Sequence, residues 1–366
     1  MNIILTGVTG TLGSQVLLEL LKKETVEKVF LLIRDQKNLS TEQRFQKIVK
    51  SAIFNSQSAM LFNLNKKIQV LNSEEFFNPS KYLLEKDNNY FIHSAGYVNL
   101  STDVSQKELI FKENFSFAKK IFETFHFYID KFTYISTAFA IGDIGGRIEN
   151  DYHNNITPYY RNAYEESKHK TEKYLLEEAS KKDIEIQILR PSVIGGNAIN
   201  KPLNYISKYM VYYLVGKFFY KNPLLENNTI RVSVNFKAGL NIIPVDYVAK
   251  VIAKVFLKDI QQLNITHNKC TNLVTGLTRI IETTGFKQFS FLDNILTHHI
   301  KDKNKLENFY YSSIGNHLSP YTLSKPYEFD TEYLESILPI PQYNLEDYLE
   351  ETIKTAIKNN FRNEKW

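Results

Sequence analysis

The sequence predicts an α/β fold in which a doubly wound parallel sheet is followed by a smaller carboxy-terminal lobe. Short apolar runs at 2–6, 28–33 and 68–71 alternate with segments of helical periodicity, and the alternation continues to residue 196. The run at 28–33 is almost continuously apolar, as expected of a parallel strand buried on both faces. With 366 residues, 43% of them hydrophobic, the chain can bury a core of this size.

Predicted strands and helices continue to alternate as far as Gly195-Gly196, and beyond these glycines the pattern is less regular. Strands are predicted at 90–93, 132–135 and 185–189, with helices near 41–54, 105–126 and 161–180. Beyond the glycines we predict an aromatic-rich helix at 203–220, short strands within 229–243, a helix at 247–257 and an amphipathic helix near 344–360. We therefore divide the chain into a sheet domain at 1–196, re-entered at 238–257, and a lobe formed by 197–237 and 258–366.

Composition excludes several classes of protein. A single cysteine, Cys270, can form neither a disulfide framework nor a zinc cluster, and we predict no metal site. A net charge of +5 without a basic cluster argues against nucleic-acid binding. The start, Met1-Asn2-Ile3-Ile4-Leu5, has the pattern of a strand and not of a signal peptide, and no long apolar stretch follows. We expect a cytoplasmic protein.

A glycine pattern lies between the first strand and the first helix. It reads Thr6-Gly7-Val8-Thr9-Gly10-Thr11-Leu12-Gly13, a GxxGxxG spacing. Glycines in this strand–turn–helix context let the backbone approach a pyrophosphate, which then lies at the amino terminus of the helix. The pattern predicts a dinucleotide-binding Rossmann unit, with all of these residues except Val8 in the coenzyme site.

The residue that ends the second strand predicts which dinucleotide binds. Arg34 stands twenty-one residues beyond Gly13, where an acidic side chain would hold the ribose 2′-hydroxyl of NAD. A guanidinium there can instead pair with a 2′-phosphate, which favours NADP. Asp35 follows directly, so NAD remains the alternative coenzyme.

Three side chains have the spacing of a proton-donating site. The Tyr-x-x-x-Lys pattern occurs four times, but only Tyr164 and Lys168 follow, by 27 residues, a strand that ends in the hydroxyl pair Ser136-Thr137. On a helix, positions i and i+4 share a face, so Lys168 is expected to lower the pKa of the phenol and to bind the nicotinamide ribose. Thr137 would then polarise a substrate carbonyl and Tyr164 would donate the proton. The alternative is an ordinary amphipathic helix with tyrosine and lysine at its surface.

Nine motifs along residues 1–257 carry a resemblance to a known family. In chain order they are Thr6-Gly7-x-Thr9-Gly10-x-Leu12-Gly13, Leu32-Ile33-Arg34, His93-Ser94-Ala95-Gly96, Asn114, Ile135-Ser136-Thr137-Ala138-Phe139, Gly146-Arg147-Ile148-Glu149, Asn162-Ala163-Tyr164-Glu165-Glu166-Ser167-Lys168, Leu189-Arg190-Pro191-Ser192-Val193-Ile194-Gly195 and Ile243-Pro244-Val245-Asp246-Tyr247-Val248. The sequence resembles the extended short-chain dehydrogenase/reductases, and within them the male-sterility or thioester-reductase group that includes fatty acyl-CoA reductases.

The resemblance implies further site residues. It adds Ser94, Ala95, Pro191 and Val193 to the coenzyme contacts, and it implies that Asn114 helps to order the catalytic site, although a helical asparagine is also a common structural contact. The family's third strand normally ends in Gly-Asp, whose acid contacts adenine. Here the strand ends in Leu71-Asn72, so Asn72 would have to replace that acid by hydrogen bonding alone.

For the reaction, the group resemblance implies reduction of an acyl thioester held on CoA or on an acyl carrier protein. Hydride addition would give a hemithioacetal that collapses to an aldehyde, and a second hydride would give an alcohol; no cysteine nucleophile is needed. A sugar-nucleotide epimerase or dehydratase, with Arg231 on the diphosphate, is the first alternative. A non-catalytic regulator that senses the dinucleotide is the second, against which the Thr137, Tyr164 and Lys168 set argues.

The predicted helix at 203–220 interleaves aromatic residues with Lys208 and Lys217. Such a segment would suit an acyl channel, the docking of an acidic carrier protein or a peripheral lipid surface. An ordinary core helix with lysines at its edges has the same pattern.

Overall fold

The computed structural model describes residues 1–36, 38–56, 66–85, 87–152, 158–223 and 229–366. Within these ranges the strands are β1 Asn2–Thr6, β2 Lys28–Leu32, β3 Ile68–Leu71, β4 Asn89–His93, β5 Lys131–Ile135, β6 Gly146–Ile148, β7 Glu185–Pro191, β8 Val193–Gly195, β9 Ile230–Val234, β10 Gly239–Leu240, β11 Ile242–Pro244, β12 Gln262–Ile265, β13 Thr271–Asn272, β14 Phe289–Asp293 and β15 Tyr327–Phe329. The strands predicted within 2–33, 68–93 and 132–189 are all present.

The helices in the same ranges are α1 Thr11–Leu21, α2 Thr41–Val49, α3 Ala52–Asn55, α4 Ser73–Phe76, α5 Lys107–Phe111, α6 Phe117–Phe125, α7 Ala163–Lys182, α8 Tyr212–Lys221, α9 Val245–Val255, α10 Leu273–Thr283, α11 Lys305–Tyr310, α12 Asn316–Thr322, α13 Glu332–Ile337 and α14 Leu345–Lys358. One π-helical segment, Lys112–Ser116, joins α5 to α6, and a second, Tyr311–Gly315, joins α11 to α12. Single 3₁₀ turns lie at Pro79–Lys81, Val104–Gln106 and Thr297–His299.

Among the described residues, the central sheet has seven parallel strands in the order β12-β7-β5-β4-β1-β2-β3. The chain leaves β1 toward one edge through β2 and β3 and then returns to place β4 on the other side of β1. This reversal makes the gap between β1 and β4 the switch point of the sheet, where ligands of such folds bind beyond the carboxyl ends of the strands. The fold is the predicted doubly wound Rossmann sheet.

Both faces of this sheet are covered by apolar layers, and successive residues of β1 show the alternation. Ile3 and Leu5 belong to the cluster that packs against α1 and α9, whereas Ile4 belongs to the cluster beneath α6 and α7. All three side chains are fully buried. Burial on both faces explains why β1 and β2 are nearly continuous apolar runs in the sequence.

The lobe has an apolar core of its own, built on α8, α10 and α14. The predicted helix at 203–220 differs from the observed one, because α8 begins only at Tyr212. Tyr212, Tyr213 and Phe219 of α8 are buried in the lobe core, whereas Lys217 is exposed. The core-helix interpretation of this segment therefore accounts for its aromatic residues.

The carboxy-terminal part of the chain contributes to the sheet as well as to the lobe. Strand β12 lies inside the range 258–366 that we predicted for the lobe, but it pairs in parallel with β7 and forms one edge of the central sheet. Trp366 is buried in the cluster that packs against α1 and α9. Short apolar strands such as β12 carry no sequence mark that assigns them to one sheet or another, because pairing is a long-range contact.

We predict that Gly13→Ala lowers the free energy of unfolding by about 2 kcal/mol or more, because a Cβ at this position would overlap the carbonyl oxygen of Gly7. Urea denaturation followed by circular dichroism measures the change. The matched control is Gly216→Ala in α8, where a Cβ meets chiefly the mobile Cδ1 methyl of Ile353. A loss for Gly13→Ala no larger than that of the control would contradict the close approach.

Candidate coenzyme and catalytic site

The glycine turn brings the backbone of α1 against the segment that follows β4. Gly7 has φ +79, and a Cβ on it would collide with the backbone of Ser94 and Ala95. The amide of Ala95 donates to Thr6 Oγ1 at 3.3 Å, and Thr6 Oγ1 lies 2.7 Å from Nδ1 of buried His93. Burial lowers the pKa of His93 to about 3, so this imidazole is neutral in its contact with Thr6.

The amino terminus of α1 meets the requirements of a pyrophosphate site. Its N-cap, Gly10, makes no side-chain capping bond, and the first turn contains no acidic residue. The first amides of α1 are therefore without a capping side chain, and the helix dipole adds positive potential there. Thr9 and Thr11 flank Gly10, and the hydroxyl of Thr11 lies 2.9 Å from Ser207 Oγ of the lobe. Leu12 points inward and is buried against the sheet.

Two adjacent side chains at the end of β2 have different environments. The Arg34 side chain is 63% exposed, and its contacts are Glu113 Oε2 at 3.3 Å and the Phe117 ring at 5.9 Å. Asp35 Oδ1 accepts hydrogen bonds from both the amide and the hydroxyl of Thr41, at 2.7 and 2.8 Å. Arg34 is thus available to a ligand, while the Asp35 carboxylate is engaged in forming the start of α2.

Asn72 has a structural task at the end of β3. Its Oδ1 accepts hydrogen bonds from the backbone amides of Glu74 and Glu75 at 2.9 and 3.0 Å. In return, Glu75 Oε2 accepts a hydrogen bond from the backbone amide of Asn72. This reciprocal capping box starts α4. The side-chain oxygen of Asn72, Oδ1, is therefore occupied. A contact with adenine would be left to its side-chain nitrogen, Nδ2, and that contact stays a prediction.

Pro191 and Val193 lie where β7 passes into β8. The carbonyl of Pro191 accepts the amide of Ala138, and the amide of Val193 donates to the carbonyl of Asn241. These bonds fix the segment next to the residues that follow β5. The coenzyme contacts implied for Pro191 and Val193 stay a prediction.

Lys168 of α7 joins three parts of the site. Its Nζ donates to the carbonyl of Ile135, at the end of β5, with a distance of 2.9 Å. It lies over the Tyr134 ring at 4.7 Å, and a Cβ on Gly96, after β4, would stand 3.3 Å from it. Lys168 is buried and makes no ion pair with any described residue. Burial lowers its pKa to about 8.

Asn114 is the organising side chain predicted from the family motif, and it lies in the π-helical segment between α5 and α6. Its Oδ1 accepts the amide of Tyr97 at 2.8 Å, and its Nδ2 donates to Ser167 Oγ at 3.0 Å. The Ser167 hydroxyl in turn donates to the carbonyl of Tyr164 at 2.8 Å. A π-turn displaces the side chain from the regular helical position, and such turns often occur at functional sites. Here it connects the segment after β4 to the helix that bears Tyr164.

Thr137 and Tyr164 complete the predicted set. Thr137 follows β5 directly, and its Oγ1 accepts the amide of Phe139 at 3.3 Å, which leaves the hydroxyl proton free to donate. The hydroxyl of Tyr164 makes no hydrogen bond with any described residue. Both side chains are buried, at 8% exposure each. Thr137 and Tyr164 therefore each have a hydroxyl that can donate. Tyr164 lies on the helix of Lys168, and Thr137 follows by two residues the Ile135 carbonyl that Lys168 binds.

The expectation that Lys168 lowers the pKa of Tyr164 is wrong for this structure. Burial, followed by the charge of Glu165, raises the pKa of the phenol well above its ordinary value. The lysine charge is directed at the Ile135 carbonyl and the Tyr134 ring instead. The phenol is protonated at neutral pH, as an ordinary tyrosine is, so it holds a proton to donate; the raised pKa makes it a weaker acid than we predicted.

The start of α7 fixes the position of Tyr164. Asn162 caps the helix by accepting the Glu165 amide at 3.1 Å, and Arg161 forms a buried ion pair with Glu165, also at 3.1 Å. Burial raises the pKa of Glu165 to about 7. The residues on either side of Tyr164 in the sequence are therefore held in place by these contacts.

Two residues weighed for other chemistry are engaged elsewhere. Arg231 forms a bidentate pair with Glu307, at 2.7 and 2.8 Å, and also donates to two backbone carbonyls. Cys270 is held against Tyr327 and Asn241, and burial raises the pKa of its thiol. The Nε and Nη2 edge of the Arg231 guanidinium is thus occupied, which leaves only Nη1 for a ligand. The Cys270 thiol is disfavoured as a thiolate nucleophile.

Sequence reasoning missed Ser167 and Arg44. Ser167 stands within the quoted Tyr-x-x-Ser-Lys motif, three residues beyond Tyr164 and therefore on the same helix face, which was the available signal. Arg44 of α2 donates to the backbone of Arg34 and to the carbonyl of Trp366. The contact with Trp366 joins residues 322 positions apart in the sequence, so no local pattern predicts it.

The fold and this site define an NAD(P)-dependent oxidoreductase of the extended short-chain dehydrogenase/reductase type. The family model described as male sterility protein matches residues 5–252, and the chain belongs to that family. A comparison with curated proteins gives no match.

Solved structures show the same fold at low sequence identity. The terminal R domain from the myxalamid PKS-NRPS biosynthetic pathway has a TM-score of 0.70 at 17% identity, over 99% of this chain and 91% of that one. The reductase domain of the aureusimine biosynthetic cluster gives 0.69 at 15% identity, with the same coverage of 99% and 91%. UDP-glucuronic acid 4-epimerase from Bacillus cereus, in complex with NAD, gives 0.64 at 17% identity over 98% of both chains.

Two features are absent from the described part of the chain. No helix in it is both long and apolar enough to cross a membrane. It also contains no group of three or more histidine, cysteine, aspartate or glutamate side chains arranged to hold a metal ion.

We predict that Lys168→Met is at least as stable as the parent protein at pH 7. The folded state depresses the lysine pKa from 10.5 to about 8, so the charged form costs the folded state about 3 kcal/mol below pH 8. That cost shrinks as pH rises toward the ordinary lysine value, so the parent should gain on the variant between pH 8 and 10. Thermal unfolding across this range measures the difference.

The control is Lys170→Met, which removes an exposed lysine of the same helix, paired with Glu166. Its effect should be small. A Lys168→Met variant that is less stable than the parent by the same amount at every pH would contradict the buried, weakly compensated ammonium.

Proposed function

We propose that the protein is an NADP-dependent reductase of acyl thioesters, with the acyl group delivered on CoA or on an acyl carrier protein. The observation that carries the proposal is the buried phenol of Tyr164, whose hydroxyl has no hydrogen-bond partner among the described residues. It lies on the helix that Lys168 joins to the end of β5, just before Thr137. Reduction of a carbonyl needs a proton donor at the oxygen, and this set supplies one. Membership of the male sterility protein family and the fold shared with two reductase domains support the same class of substrate.

The chain's own residues have separate tasks in this reaction. When bound, the reduced coenzyme supplies the hydride that is added to the thioester carbon. Thr137 donates a hydrogen bond to the carbonyl oxygen and orients it. Tyr164 transfers its proton to that oxygen as the carbon–oxygen double bond becomes single, which gives a hemithioacetal. Its collapse breaks the carbon–sulfur bond and releases one thiol and one aldehyde, and a second hydride with a second proton yields the alcohol.

For coenzyme selection, the environments of Arg34 and Asp35 support NADP over NAD. An exposed ion pair such as Arg34 with Glu113 contributes little free energy, so the guanidinium can exchange it for a phosphate at low cost. The Asp35 carboxylate, which would bind a ribose 2′-hydroxyl, is held by Thr41.

The sugar-nucleotide alternative rests on the fold shared with the epimerase over the whole chain. It would use Arg231 on the diphosphate, but that guanidinium is already paired with Glu307 and two carbonyls. Breaking a bidentate pair to bind a ligand gives up charge-assisted hydrogen bonds that are among the strongest in proteins. The contacts of Arg231 therefore favour the thioester substrate.

To test the substrate class, the protein is incubated with NADPH and a medium-chain acyl-CoA, and absorbance of the reduced nicotinamide is followed together with the release of free thiol. We expect coenzyme oxidation with thiol release in a ratio of one or two to one. No oxidation with any acyl-CoA or acyl carrier protein, alongside conversion of a UDP- or dTDP-sugar, would establish the epimerase alternative instead.

Tyr164→Phe removes only the proton donor, and we expect turnover to fall by about a thousandfold or more while NADPH binding is unchanged. Tyr174→Phe, ten residues further along the same helix, removes a hydroxyl that donates to Glu123; it is the matched control and should keep full turnover. If Tyr164→Phe keeps most of the parent's turnover, the phenol is not the acid.

Arg34→Gln is expected to weaken NADPH binding by about tenfold and to leave NADH binding unchanged, since only NADPH has the 2′-phosphate. Fluorescence titration of each coenzyme measures both constants. Arg279→Gln, which removes a comparable surface pair with Glu350, is the control. Equal weakening of NADH and NADPH would show that Arg34 does not select the phosphate.

A further inference from the structure

A cavity of about 460 Å³ lies beside the glycine turn, at the end of the sheet where the dinucleotide's adenosine is expected. Thr9 of the turn and Gln36, beyond β2, form one side of it, and Arg44 of α2 forms another. The remaining wall comes from the lobe and from the end of the described chain, with Lys208 and Trp366. The cavity is therefore a place where distant parts of the sequence meet.

The cavity is strongly positive. Four cationic side chains line it, Arg44, Lys47, Lys208 and Lys365, against one carboxylate, Glu364. Arg44 donates its hydrogen bonds to backbone carbonyls, and none of the four cations forms an ion pair with a described residue. Burial and the charge of Arg44 both lower the pKa of Lys208. Bringing like charges together is unfavourable without an anion between them, so the cluster indicates a site for a multiply charged anion.

Backbone contacts hold Lys208 and Trp366 at this cavity. Ser207, which precedes Lys208, bonds to Thr11 of α1 and accepts the amide of Glu364 at 2.8 Å. The amide of Tyr209, which follows Lys208, donates to Asn363 Oδ1 at 2.8 Å. Arg44 binds the Trp366 carbonyl through Nε and Nη2, at 3.0 and 2.9 Å.

The indole of Trp366 adds a second observation. Its ring is 6% exposed, and its Nε1 has no hydrogen-bond partner among the described residues. A buried donor without a partner costs free energy, and a ligand acceptor in the adjoining cavity would satisfy it.

We propose that Lys208, beside the buried charge of Arg44, binds the 2′-phosphate of NADP, and that the segment from Asn363 to Trp366 closes this pocket. The inference rests on the NADP preference proposed above, and it adds to Arg34 a selecting residue from the lobe. Coenzyme binding would thereby fasten the lobe and the end of the described chain to the glycine turn, so the phosphate has a structural effect besides its own affinity.

The test uses nucleotides that lack nicotinamide, so that its outcome is independent of the acyl substrate. The dissociation constants of 2′,5′-ADP and 5′-AMP are measured by calorimetry for the parent, for Lys208→Met and for Lys217→Met, an exposed lysine of α8, as control. We expect Lys208→Met to weaken 2′,5′-ADP binding by about tenfold and to leave 5′-AMP binding unchanged. An unchanged constant for 2′,5′-ADP, or equal weakening of both nucleotides, would overturn the role of Lys208.

Hydrogen exchange of the parent protein tests closure without any variant. We expect 2′,5′-ADP, and not 5′-AMP, to slow exchange of the Tyr209 and Glu364 amides. No slowing, or the same slowing with both nucleotides, would overturn closure of the pocket. A parent that does not distinguish the two nucleotides in calorimetry would contradict the NADP preference itself, whereas a preference that Lys208→Met leaves intact would contradict only the present inference.

Discussion

The buried ammonium of Lys168 and its contacts are the interaction on which the candidate catalytic site depends. A charge that is removed from water and forms no ion pair with a described residue is unfavourable. A carbonyl hydrogen bond, an aromatic ring and the charge of Glu172 offset only part of that cost. That bond fixes α7 to the end of β5, and with it the distance along the sheet edge between Tyr164 and Thr137. Gly96 in the segment after β4 leaves room for the lysine, because a Cβ there would stand 3.3 Å from its Nζ. Burial of the Lys168 charge therefore lowers the stability of the folded protein, at a position where the proposed reaction requires a charge.

The candidate coenzyme site lies at the same edge of the sheet and depends on close contacts between backbone segments. Gly7 and Gly13 allow the turn after β1, the start of α1 and the segment after β4 to occupy one small volume, which side chains would fill. The amino terminus of α1 is left without a capping residue, as a pyrophosphate site requires. On the lobe side, Ser207 meets Thr11, and Arg44 meets Trp366. The lobe is thereby attached to the coenzyme edge of the sheet as well as to its own apolar core.

Local patterns in the sequence were sufficient for the sheet, since strand alternation and the glycine turn are short-range. The i, i+4 spacing placed Tyr164 and Lys168 on one helix, and their catalytic role stays a prediction. The start of α8 at Tyr212 was not predictable, because aromatic residues favour neither a helix nor the irregular segment before it. The pairing of β12 and the contact of Arg44 with Trp366 are long-range, and Asn72 could be either a cap or a ligand until its neighbours were placed. The raised pKa of Tyr164 depends on burial, which the spacing of Tyr164 and Lys168 does not reveal.

The account's central claim is that a hydride from the coenzyme ends on the carbon of a thioester while Tyr164 protonates its oxygen. NADPH deuterated at the transferring position of the nicotinamide, incubated with an acyl-CoA under single turnover, tests this most directly by mass spectrometry of the products. The account predicts one deuterium at the carbon of an aldehyde product, or two at the carbon of an alcohol product, with oxidised coenzyme and free CoA formed together. Deuterium that remains on the coenzyme, with acyl-CoA recovered intact, would contradict it.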